Sequence, residues 1–547
     1  MHNYPMTSYI SHQSIYILQT IYLNTNLLAN MVPSVGALIL VFLSFLILWT
    51  LVNFFHKMWW VPTRIKRIMT RQGIKGPPYH FIHGNTKEIA AMKEQANITR
   101  FTEISHDIYP RIQPHFFTWF QLYGKNFLDW YGPQAELVIT EPEIIREIAS
   151  NHRATFARPD LGSYNKKILG DGLVTSSGKK WASQRKLANH VFNGESLKNM
   201  IPAMVASVEL MLDRWKKMDS NEVEMNAEFR MLAAEVISRT AFGSNYLQGK
   251  EVFEMLKEMG TIAGRNYYNP RHLSLHSKIV KSNDDLKSDE LQKRIHNVII
   301  KTVKEREKTM GHEYADNTDF LGQLLMSKNN IINSQGYQLS TQDIIDECKT
   351  FYVSGDGTTS LLLSWAVLLL SIYTEWQERA REEVFQIFGK ETQPHFEGLA
   401  KLKIIGMIIN ETLRLYPPGI AIIRKNEREV KLGNLIVPAN IILHVPVLAL
   451  HHDGDIWGGD AHLFKPERFS QGVSNATKNN PSAYMPFGFG PRNCVGSNFA
   501  TSTAKVTLAM MLQRYRFSPS PNYVHLPVHI TMLVPKNGVQ VMLHALK

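Results

Sequence analysis

The sequence predicts a mainly α-helical protein with small β-sheets, folded as a single domain behind an N-terminal transmembrane helix. Apolar residues recur at helical spacing through most of the chain after residue 79, and only a few short runs have the composition of strands. The first 56 residues contain no Asp, Glu, Lys or Arg. Residues 79–547 show no internal repeat, no low-complexity linker and no second shift of composition, so we expect one domain there.

The composition permits a large folded core and narrows the set of partners. Of the 547 residues, 44% are hydrophobic and 20% are charged. The two cysteines, Cys348 and Cys494, are too few for a disulfide framework or a multi-cysteine zinc site, which is compatible with a reducing compartment. The net charge of +12 could face a membrane, an acidic protein or nucleic acid. Nucleic acid is the least favoured, because the basic residues are scattered and not interleaved with aromatics.

A transmembrane signal-anchor helix is predicted over residues 32–55. This stretch is nearly continuously apolar and exceeds the ~20 residues that a helix needs to cross the hydrocarbon core. Trp49, Trp59 and Trp60 lie at the depth expected of interface anchors. A buried core helix would be shorter, and a cleavable signal peptide would have a shorter apolar region and a small-residue cleavage site.

The residues around this helix set its orientation. Six basic residues lie between Lys57 and Lys75 and none precedes the helix, so the positive-inside rule places the bulk of the chain in the cytosol. Residues 1–31 are an N-terminal extension without the arginines of a transit peptide, and both Met1 and Met31 are open as the start. Residues 56–78 form a basic, proline-rich linker, and residues 79–547 form the folded domain.

Secondary-structure elements within the domain follow from periodicity. Helices are predicted at 141–149, 180–192, 195–217, 226–242, 291–310, 340–373, 376–388, 402–415 and 499–515. Short β-like runs occur at 136–139, 430–437 and 440–445, and Pro438 separates the last two.

A glycine-rich loop over residues 487–496 delivers Cys494 to the start of the last predicted helix. The free N–H groups and the macrodipole at a helix start favour a thiolate over a thiol, and a thiolate is a ligand for a soft metal centre. Gly490 and Gly496 can adopt positive φ or admit a flat ligand, and Arg492 adds a permanent cation. The alternative is a small buried hydrophobe, which most lone cysteines are.

The spacing of this loop favours the metal-binding alternative. Phe487, Gly490, Arg492, Cys494 and Gly496 form the pattern F-x-x-G-x-R-x-C-x-G. These residues resemble the haem-binding loop of the cytochrome P450 family. The resemblance implies a single haem-thiolate domain in which the Cys494 thiolate is the proximal ligand to the iron of haem b, iron protoporphyrin IX.

Trp181 and Arg185 share one face of a predicted helix, because they lie four residues apart. Such a pair is more often a stacked surface pair, but the resemblance implies that it contacts the haem propionates. The resemblance implies the same role for Arg424 and Arg492.

Two further motifs appear in the order of the family. Glu411 and Arg414 match its E-x-x-R element, and the segment 466–469 matches its P-E-R-F element. Each motif alone is weak, because ion pairs at this spacing are common on solvated helix faces. The resemblance implies a buried, structural network of carboxylate and guanidinium groups behind the cysteine loop.

The segment 354–359 places two glycines inside a predicted helix, where each costs about 1 kcal/mol relative to alanine. The resemblance implies that O₂ binds here and that Thr358 assists O–O cleavage. Gly357 stands where the family carries an acid, and Asp356 stands one position earlier, about 100° around the helix. We expect Thr358 and Asp356 to be catalytic, with Asp356 acting through a water or a helix distortion, and with poor coupling that releases peroxide.

The resemblance covers residues 76–547 and implies an NADPH-dependent monooxygenase that hydroxylates or oxidises an apolar small molecule. Electrons would come from NADPH–cytochrome P450 reductase, because no flavin or nicotinamide motif is present. The implied location is the endoplasmic reticulum membrane, with one pass and a cytosolic catalytic domain. In the family the run 419–423 faces the distal pocket, and because this run is apolar here, the resemblance implies an apolar substrate that enters from the membrane.

Smaller details narrow the substrate class. Segments 75–79, 192–197 and 456–458 are similar to the plant clan that contains secologanin synthase and hormone-inactivating hydroxylases. This similarity favours a terpenoid or a steroid-like plant metabolite or hormone.

Two alternatives stay open. Gly357 is compatible with a haem-thiolate isomerase or dehydratase that activates no O₂, which strict NADPH dependence would exclude. The other is a catalytically degenerate haem-binding membrane protein, which turnover of any substrate would exclude. Thr358 favours the monooxygenase over both.

Overall fold

The structure, a computed structural model, describes residues 9–98, 104–150, 156–160, 162–244, 246–266, 281–309, 319–329 and 338–546. The chain divides into two compact units, Met1–Arg67 and Ile68–Lys547.

The first unit is built on one long helix. Helix α1 covers Tyr9–Phe55, a π-helical turn covers His56–Trp60, and α2 covers Val61–Arg71. The segment Val35–Arg71 contains a stretch of mean hydropathy 2.7 that is long and apolar enough to cross a membrane, and none of this stretch is buried. The predicted apolar helix near the N-terminus is therefore confirmed, although α1 begins at Tyr9, within the segment assigned to the extension.

The second unit is mainly helical, as predicted. Its helices are α3 (Thr86–Ile98), α4 (Tyr109–Ile112), α5 (Pro114–Tyr123), α6 (Pro142–Ser150), α7 (Gly162–Leu169), α8 (Gly178–Val191), α9 (Gly194–Trp215), α10 (Met225–Phe242), α11 (Tyr246–Asn266), α12 (Asn283–Thr309), α13 (Phe320–Asn329), α14 (Thr341–Ile372), α15 (Thr374–Phe388), α16 (Phe396–Leu399), α17 (Lys403–Leu415), α18 (Val447–His451), α19 (Gly454–Trp457), α20 (Gly472–Ala476) and α21 (Ser497–Arg514). Short 3-10 turns cover Pro466–Phe469, Pro481–Ala483 and Gly490–Arg492.

The predicted helices are confirmed, with one large difference in a boundary. The helix predicted at 291–310 begins at Asn283, because its first two turns are too polar to show periodicity. Ser282 and Asp285 cap this start, since the Asp285 N–H donates to the Ser282 hydroxyl and the Ser282 N–H donates to the Asp285 carboxylate. The predicted last residue, Met310, lies outside the described residues.

The strands form small sheets. They are β1 (Phe127–Tyr131), β2 (Gln134–Val138), β3 (Phe156–Ala157), β4 (Glu222–Glu224), β5 (Ile422–Asn426), β6 (Val430–Leu432), β7 (Leu435–Val437), β8 (Ile442–Val445), β9 (Tyr515–Pro519), β10 (Pro527–His529), β11 (Leu533–Pro535) and β12 (Gln540–Ala545). The five-stranded sheet has the order β1-β2-β8-β5-β3, with β2 and β8 parallel and the other neighbours antiparallel. A three-stranded sheet has the order β4-β12-β9, and β6–β7 and β10–β11 are separate hairpins.

The β-like runs at 136–139 and 440–445 are confirmed as β2 and β8. The run at 430–437 is not one strand but the β6–β7 hairpin. Gly433, with φ +56°, makes the turn between its strands. The run was predicted as a single strand because strand-forming residues lie on both sides of this turn.

Helix α14 is the central helix of the core. Ser340 and Asp343 form a capping box at its start. Its length and hydropathy would also allow it to cross a membrane, but 78% of its apolar stretch is buried in the protein. Cys348 is buried within it. Helix α10 packs closely against α14, since a Cβ on Gly355 would lie 2.7 Å from the Ile237 side chain.

Candidate active site

The loop that carries Cys494 is closed by its own backbone. The Cys494 N–H donates to the carbonyl of Phe487 at 2.7 Å, which gives the loop the shape of a tight turn. Gly488 and Gly490 have φ of +76° and +75°. A Cβ on Gly490 would lie 2.3 Å from the carbonyl oxygen of Ala149 in α6, so only glycine fits at this position.

The Cys494 side chain is exposed, yet it lies among many protein atoms. Burial raises the pKa of its thiol, while the Gly496 N–H and the Arg185 charge lower it. An exposed sulfur with so much protein around it lies in a recess of the surface. Burial is the largest of these effects, so the pKa of the Cys494 thiol lies above its ordinary value. Because α21 begins at Ser497, Cys494 precedes the first helical turn.

Helix α8 lies beside the cysteine loop, as the W-x-x-x-R motif implied. The Arg492 guanidinium carbon lies 4.4 Å from the centroid of the Trp181 ring, and its Nη2 donates to the Ser176 carbonyl at 3.0 Å. Arg185 donates from Nη2 to Oδ1 of Asn493 at 2.6 Å. The structure thus brings Trp181 and Arg185 to the loop, with Arg185 bound to the residue before the cysteine.

Four arginines of this region form a cluster of partly buried positive charge: Arg158, Arg185, Arg424 and Arg492. Burial, together with repulsion by Arg158, lowers the pKa of Arg424 and of Arg492 to about 10. Burial also lowers the pKa of Arg158, and its Nε is buried without a hydrogen-bond partner. In the described ranges, no carboxylate forms an ion pair with any of the four.

The sequence analysis missed Arg158. It directly follows β3, and β3 pairs with β5 so that Ala157 lies opposite Lys425, next to Arg424. The available signal was an arginine between a short strand and Pro159, which is common in any sequence. Only the pairing of β3 with β5 brings this guanidinium to the others.

Thr358 lies in a regular part of helix α14. Helix α14 continues through it, and the Thr358 hydroxyl donates to the carbonyl of Ser354 at 2.7 Å. Such a bond to the preceding turn bends a helix slightly and holds the hydroxyl proton in place. Thr358 is half-buried, so one side of it remains accessible.

Asp356, which was predicted to be catalytic, forms an ion pair with helix α10. Arg230 of α10 donates to Oδ2 of Asp356 at 3.0 Å, so the carboxylate faces α10. Burial raises the pKa of Asp356, and the charge of Arg230 opposes that rise. The physical reason is the helical step of about 100° per residue, which turns Asp356 away from the direction of Thr358.

The E-x-x-R element is confirmed as a buried network. Arg414 donates twice to Glu411, at 2.7 Å each, and both side chains are fully buried. Arg414 also donates to the carbonyls of His451 and Ala461. Nε of Arg468, in the P-E-R-F element, lies 3.5 Å from Oε1 of Glu411. This network fixes several loops at once, because every donor of Arg414 reaches a different backbone segment or the carboxylate.

The network also reaches toward the cysteine loop. Nε2 of His451 accepts the N–H of Met485, two residues before Phe487. The hydroxyl of Tyr484 donates to the carbonyl of Asn410 in α17. The buried ion pair therefore supports the segment from which the loop starts.

These residues fit a haem. The exposed Cys494 would provide a sulfur ligand for the iron of a haem. The arginine cluster provides positive charge that has no acidic partner within the described residues, which is what two propionates require. Buried like charges without such a partner are unfavourable, so the cluster itself indicates a dianionic ligand.

Comparison with known proteins identifies the family. The sequence profile of the family "Cytochrome P450" matches residues 104–543. Cytochrome P450 CYP749A22 of Panax ginseng is 49% identical over 520 residues, which cover 94% of this chain and 98% of that protein. The 11-oxo-beta-amyrin 30-oxidase of Medicago truncatula is 39% identical over 91% of this chain and 95% of that protein.

A third plant relative extends the set. Cytochrome P450 734A1 of Arabidopsis thaliana is 37% identical over 88% of this chain and 92% of that protein. The family profile and the relatives match most of the chain, and the cysteine loop carries the motif of the same family. The chain therefore belongs to the cytochrome P450 family, and it is an oxidoreductase of the monooxygenase type.

Proposed function

We propose that this protein hydroxylates or oxidises an apolar small molecule of the terpenoid or steroid-like type, with O₂ and electrons from NADPH. The observation that carries the proposal is the meeting of the exposed Cys494 sulfur and the arginine cluster at one loop. Haem b, when bound there, supplies the activation of O₂ that no side chain can supply.

The residues of the site divide into ligands and supports. Cys494 holds the iron, and Arg158, Arg424 and Arg492 hold the propionates, with Trp181 packed under the Arg492 guanidinium. Arg185 shares this positive field and positions the loop through Asn493. The supports are Phe487, which accepts the Cys494 N–H, and Gly490 and Gly496, which leave the loop without side chains at two points.

In this proposal, the Thr358 hydroxyl takes part in proton transfer. Its Oγ1 holds a proton that it donates to the Ser354 carbonyl, and it can exchange that proton with a bound water on its accessible side. Asp356 is left out because Arg230 binds it. We therefore keep the expectation of weak coupling, in which part of the reductant yields hydrogen peroxide.

The substrate class is supported by chemistry and by relatives. The run 419–423 is apolar, and a relative 39% identical is described as an 11-oxo-beta-amyrin oxidase. NADPH–cytochrome P450 reductase is the proposed electron donor. The proposed location is the endoplasmic reticulum membrane, with residues 32–55 as anchor, 56–78 as linker and 79–547 as cytosolic catalytic domain.

The proposal is tested by turnover in microsomes that contain the full chain and a plant reductase. A panel of triterpenoids, steroids and smaller terpenoids is incubated with NADPH and ¹⁸O₂, and products are analysed by mass spectrometry. We expect one or more substrates to gain ¹⁸O only when NADPH is present. A product that forms equally without NADPH and O₂ would instead establish the isomerase or dehydratase.

A further inference from the structure

The segment between α7 and α8, residues 170–177, packs against the central helix α14 and is called the α7–α8 turn. The Thr350 hydroxyl of α14 donates to the carbonyl of Leu169, directly before the turn, at 2.9 Å. A Cβ on Gly172 would lie 2.3 Å from Oγ1 of Thr350, so a larger residue at this position would clash. Glycine therefore lets the turn approach α14 closely.

Lys180 binds the start of α8 to the same helix. Its Nζ lies 2.7 Å from Oδ2 of Asp171, in the α7–α8 turn, and 2.5 Å from Oδ1 of Asp343, in the first turn of α14. Only 17% of the Lys180 side chain and 8% of the Asp343 side chain are exposed, so solvent screens this pair weakly. These ion pairs fix the α7–α8 turn between α8 and α14.

The far end of the turn contacts the cysteine loop. Nη2 of Arg492 donates to the carbonyl of Ser176 at 3.0 Å, while the Arg492 guanidinium lies over the Trp181 ring. A carbonyl carries no net charge, so it orients the guanidinium and leaves the positive charge for an anion. Trp181 is held by helix α8, whereas the direction of the Ser176 carbonyl depends on the contacts that hold Ser176 in the turn.

Gln184 of α8 holds Ser176. The Ser176 hydroxyl donates to Oε1 of Gln184 at 2.5 Å, and Nε2 of Gln184 donates to the carbonyl of Asp171 at 3.5 Å. Ser176 and Gln184 are each only 2% exposed. A buried polar group that loses its partner is not rehydrated, so breaking this hydrogen bond is costly. Gln184 therefore fixes the residue whose carbonyl accepts from Arg492.

We propose that Gln184 is a positioning residue for haem binding, which acts through Ser176 to direct the Arg492 guanidinium toward a haem propionate. This inference rests on the proposed function, because it takes Arg492 as a propionate ligand. Gln184 sets the direction of that guanidinium, and Lys180 holds the α7–α8 turn in place against α14.

Loss of the Gln184 acceptor has a specific consequence. In Gln184→Leu the Ser176 hydroxyl loses its acceptor, the turn moves, and the Arg492 charge moves with the Ser176 carbonyl. A cation beside the propionates stabilises the reduced haem, which carries one more negative charge than the oxidised haem. Displacement of Arg492 therefore lowers the reduction potential and speeds the release of haem.

The first experiment measures haem release and reduction potential in the haem-loaded full chain. Release to apomyoglobin is followed by absorbance, and the potential is measured by a dye-coupled spectroscopic titration. Gln184→Leu should release haem about 2- to 10-fold faster than the parent, the range for one neutral hydrogen bond, and should have a more negative potential. Arg492→Gln serves as the benchmark, and it should change both quantities further in the same directions.

Gln377→Leu is the matched control. Gln377 of α15 is also 2% exposed, and it donates to the carbonyls of Leu370 and Phe517. Its replacement should lower the urea midpoint of unfolding and leave the potential at its parental value. The inference is overturned if Gln184→Leu keeps the parental potential, or if Gln377→Leu shifts the potential by the same amount.

The second experiment is a double-mutant cycle between Ser176→Ala and Gln184→Leu, with the potential as the readout. Each single variant should lower the potential, and the double variant should lower it no further than the larger single effect, because both remove the same hydrogen bond. Additive shifts would mean that Gln184 acts by another route, and they would overturn the inference.

Failure of the proposed function has a different signature. A folded parent that binds no haem, or an Arg492→Gln variant with the parental release rate and potential, would contradict the role of Arg492 as a propionate ligand. Failure of the inference alone leaves the effects of Arg492→Gln intact, so the two failures are distinguishable.

Discussion

The positive charge around the cysteine loop comes from four arginines, and Nε of Arg158 is buried without a hydrogen-bond partner. Its neighbours Arg424 and Arg492 repel it, so its burial is favourable only when an anion joins the cluster. At the scale of single residues, Arg158 is therefore the sharpest test of how the propionates are held.

Arg158→Gln should release haem faster than the parent. A lost hydrogen bond to a charged group corresponds to about 1.5–3 kcal/mol, which is about 10- to 150-fold in affinity. Haem transfer to apomyoglobin, followed by absorbance, measures the rate. Arg516→Gln is the control, because Arg516 is an exposed arginine of β9 paired with Glu378. Equal rates in Arg158→Gln and the control would contradict this role.

Glu347 gives the protein a pH dependence that the haem site does not explain. Burial raises its pKa from 4.5 to about 8, while the Leu173 N–H and Lys180 lower it. Between these pH values the folded state holds a proton that the unfolded state has lost, so stability falls as pH rises. The slope approaches about 1.4 kcal/mol per pH unit.

Glu347→Gln should therefore unfold at a higher temperature than the parent at pH 8, and the difference should shrink toward pH 5. Differential scanning fluorimetry across this range measures both. Glu382→Gln, an exposed glutamate of α15, provides the control. A difference that grows toward low pH would have the wrong sign for a raised pKa.

At the scale of elements, the buried pair of α17 holds loops that are distant in sequence. Glu411→Gln should destabilise the protein by about 3–5 kcal/mol, because it leaves the Arg414 charge buried and unbalanced. Urea unfolding measures the change. Glu143→Gln is a matched control, since Glu143 and Arg146 have the same i,i+3 spacing on an exposed face. The control should change stability by less than about 0.5 kcal/mol.

The network would be shown to be dispensable if Glu411→Gln and Glu143→Gln unfolded at the same urea concentration. In that case the hydrogen bonds from Arg414 to His451 and Ala461 would suffice without the carboxylate.

The elements also show what the sequence could predict. Helices with a clear apolar stripe, such as α9 and α14, were predicted within two or three residues. The turn at Gly433 was missed because strand formers flank it, and the start of α12 was missed because it is polar. A periodic pattern of apolar residues predicts elements that bury one face. It does not locate an element boundary that is set by a capping residue or a tight turn.

The residues of the site also divide into those that the sequence could predict and those that it could not. Cys494 and Arg492 lie within one local motif, so their meeting could be predicted. The position of Arg158 could not be predicted, because the pairing of β3 with β5 brings it to the other arginines. The ion pair of Asp356 with Arg230 could not be predicted either, because a motif gives the order of residues along the chain but not their partners on other helices.

For the molecule as a whole, two helices among the residues that the structure describes are long and apolar enough to span a membrane, and they differ in burial. The stretch in Val35–Arg71 is not buried, whereas 78% of that in Thr341–Ile372 is. We infer one pass, with the catalytic unit in the cytosol because the basic residues follow the anchor.

Protease protection of microsomes tests this topology. With tags at both ends of the full chain, external protease should remove the C-terminal tag and leave the N-terminal tag protected. Detergent should expose both. Protection of the C-terminal tag in intact microsomes would place the catalytic unit in the lumen and contradict the orientation.

The central claim is that Cys494 ligates a haem iron as a thiolate. The most direct measurement is the carbon monoxide difference spectrum of the reduced, membrane-expressed protein, beside that of Cys494→Ala. We predict a strongly red-shifted Soret band in the parent that is absent from Cys494→Ala. Folded parent protein without this band, or a Cys494→Ala variant that retains it, would contradict the account.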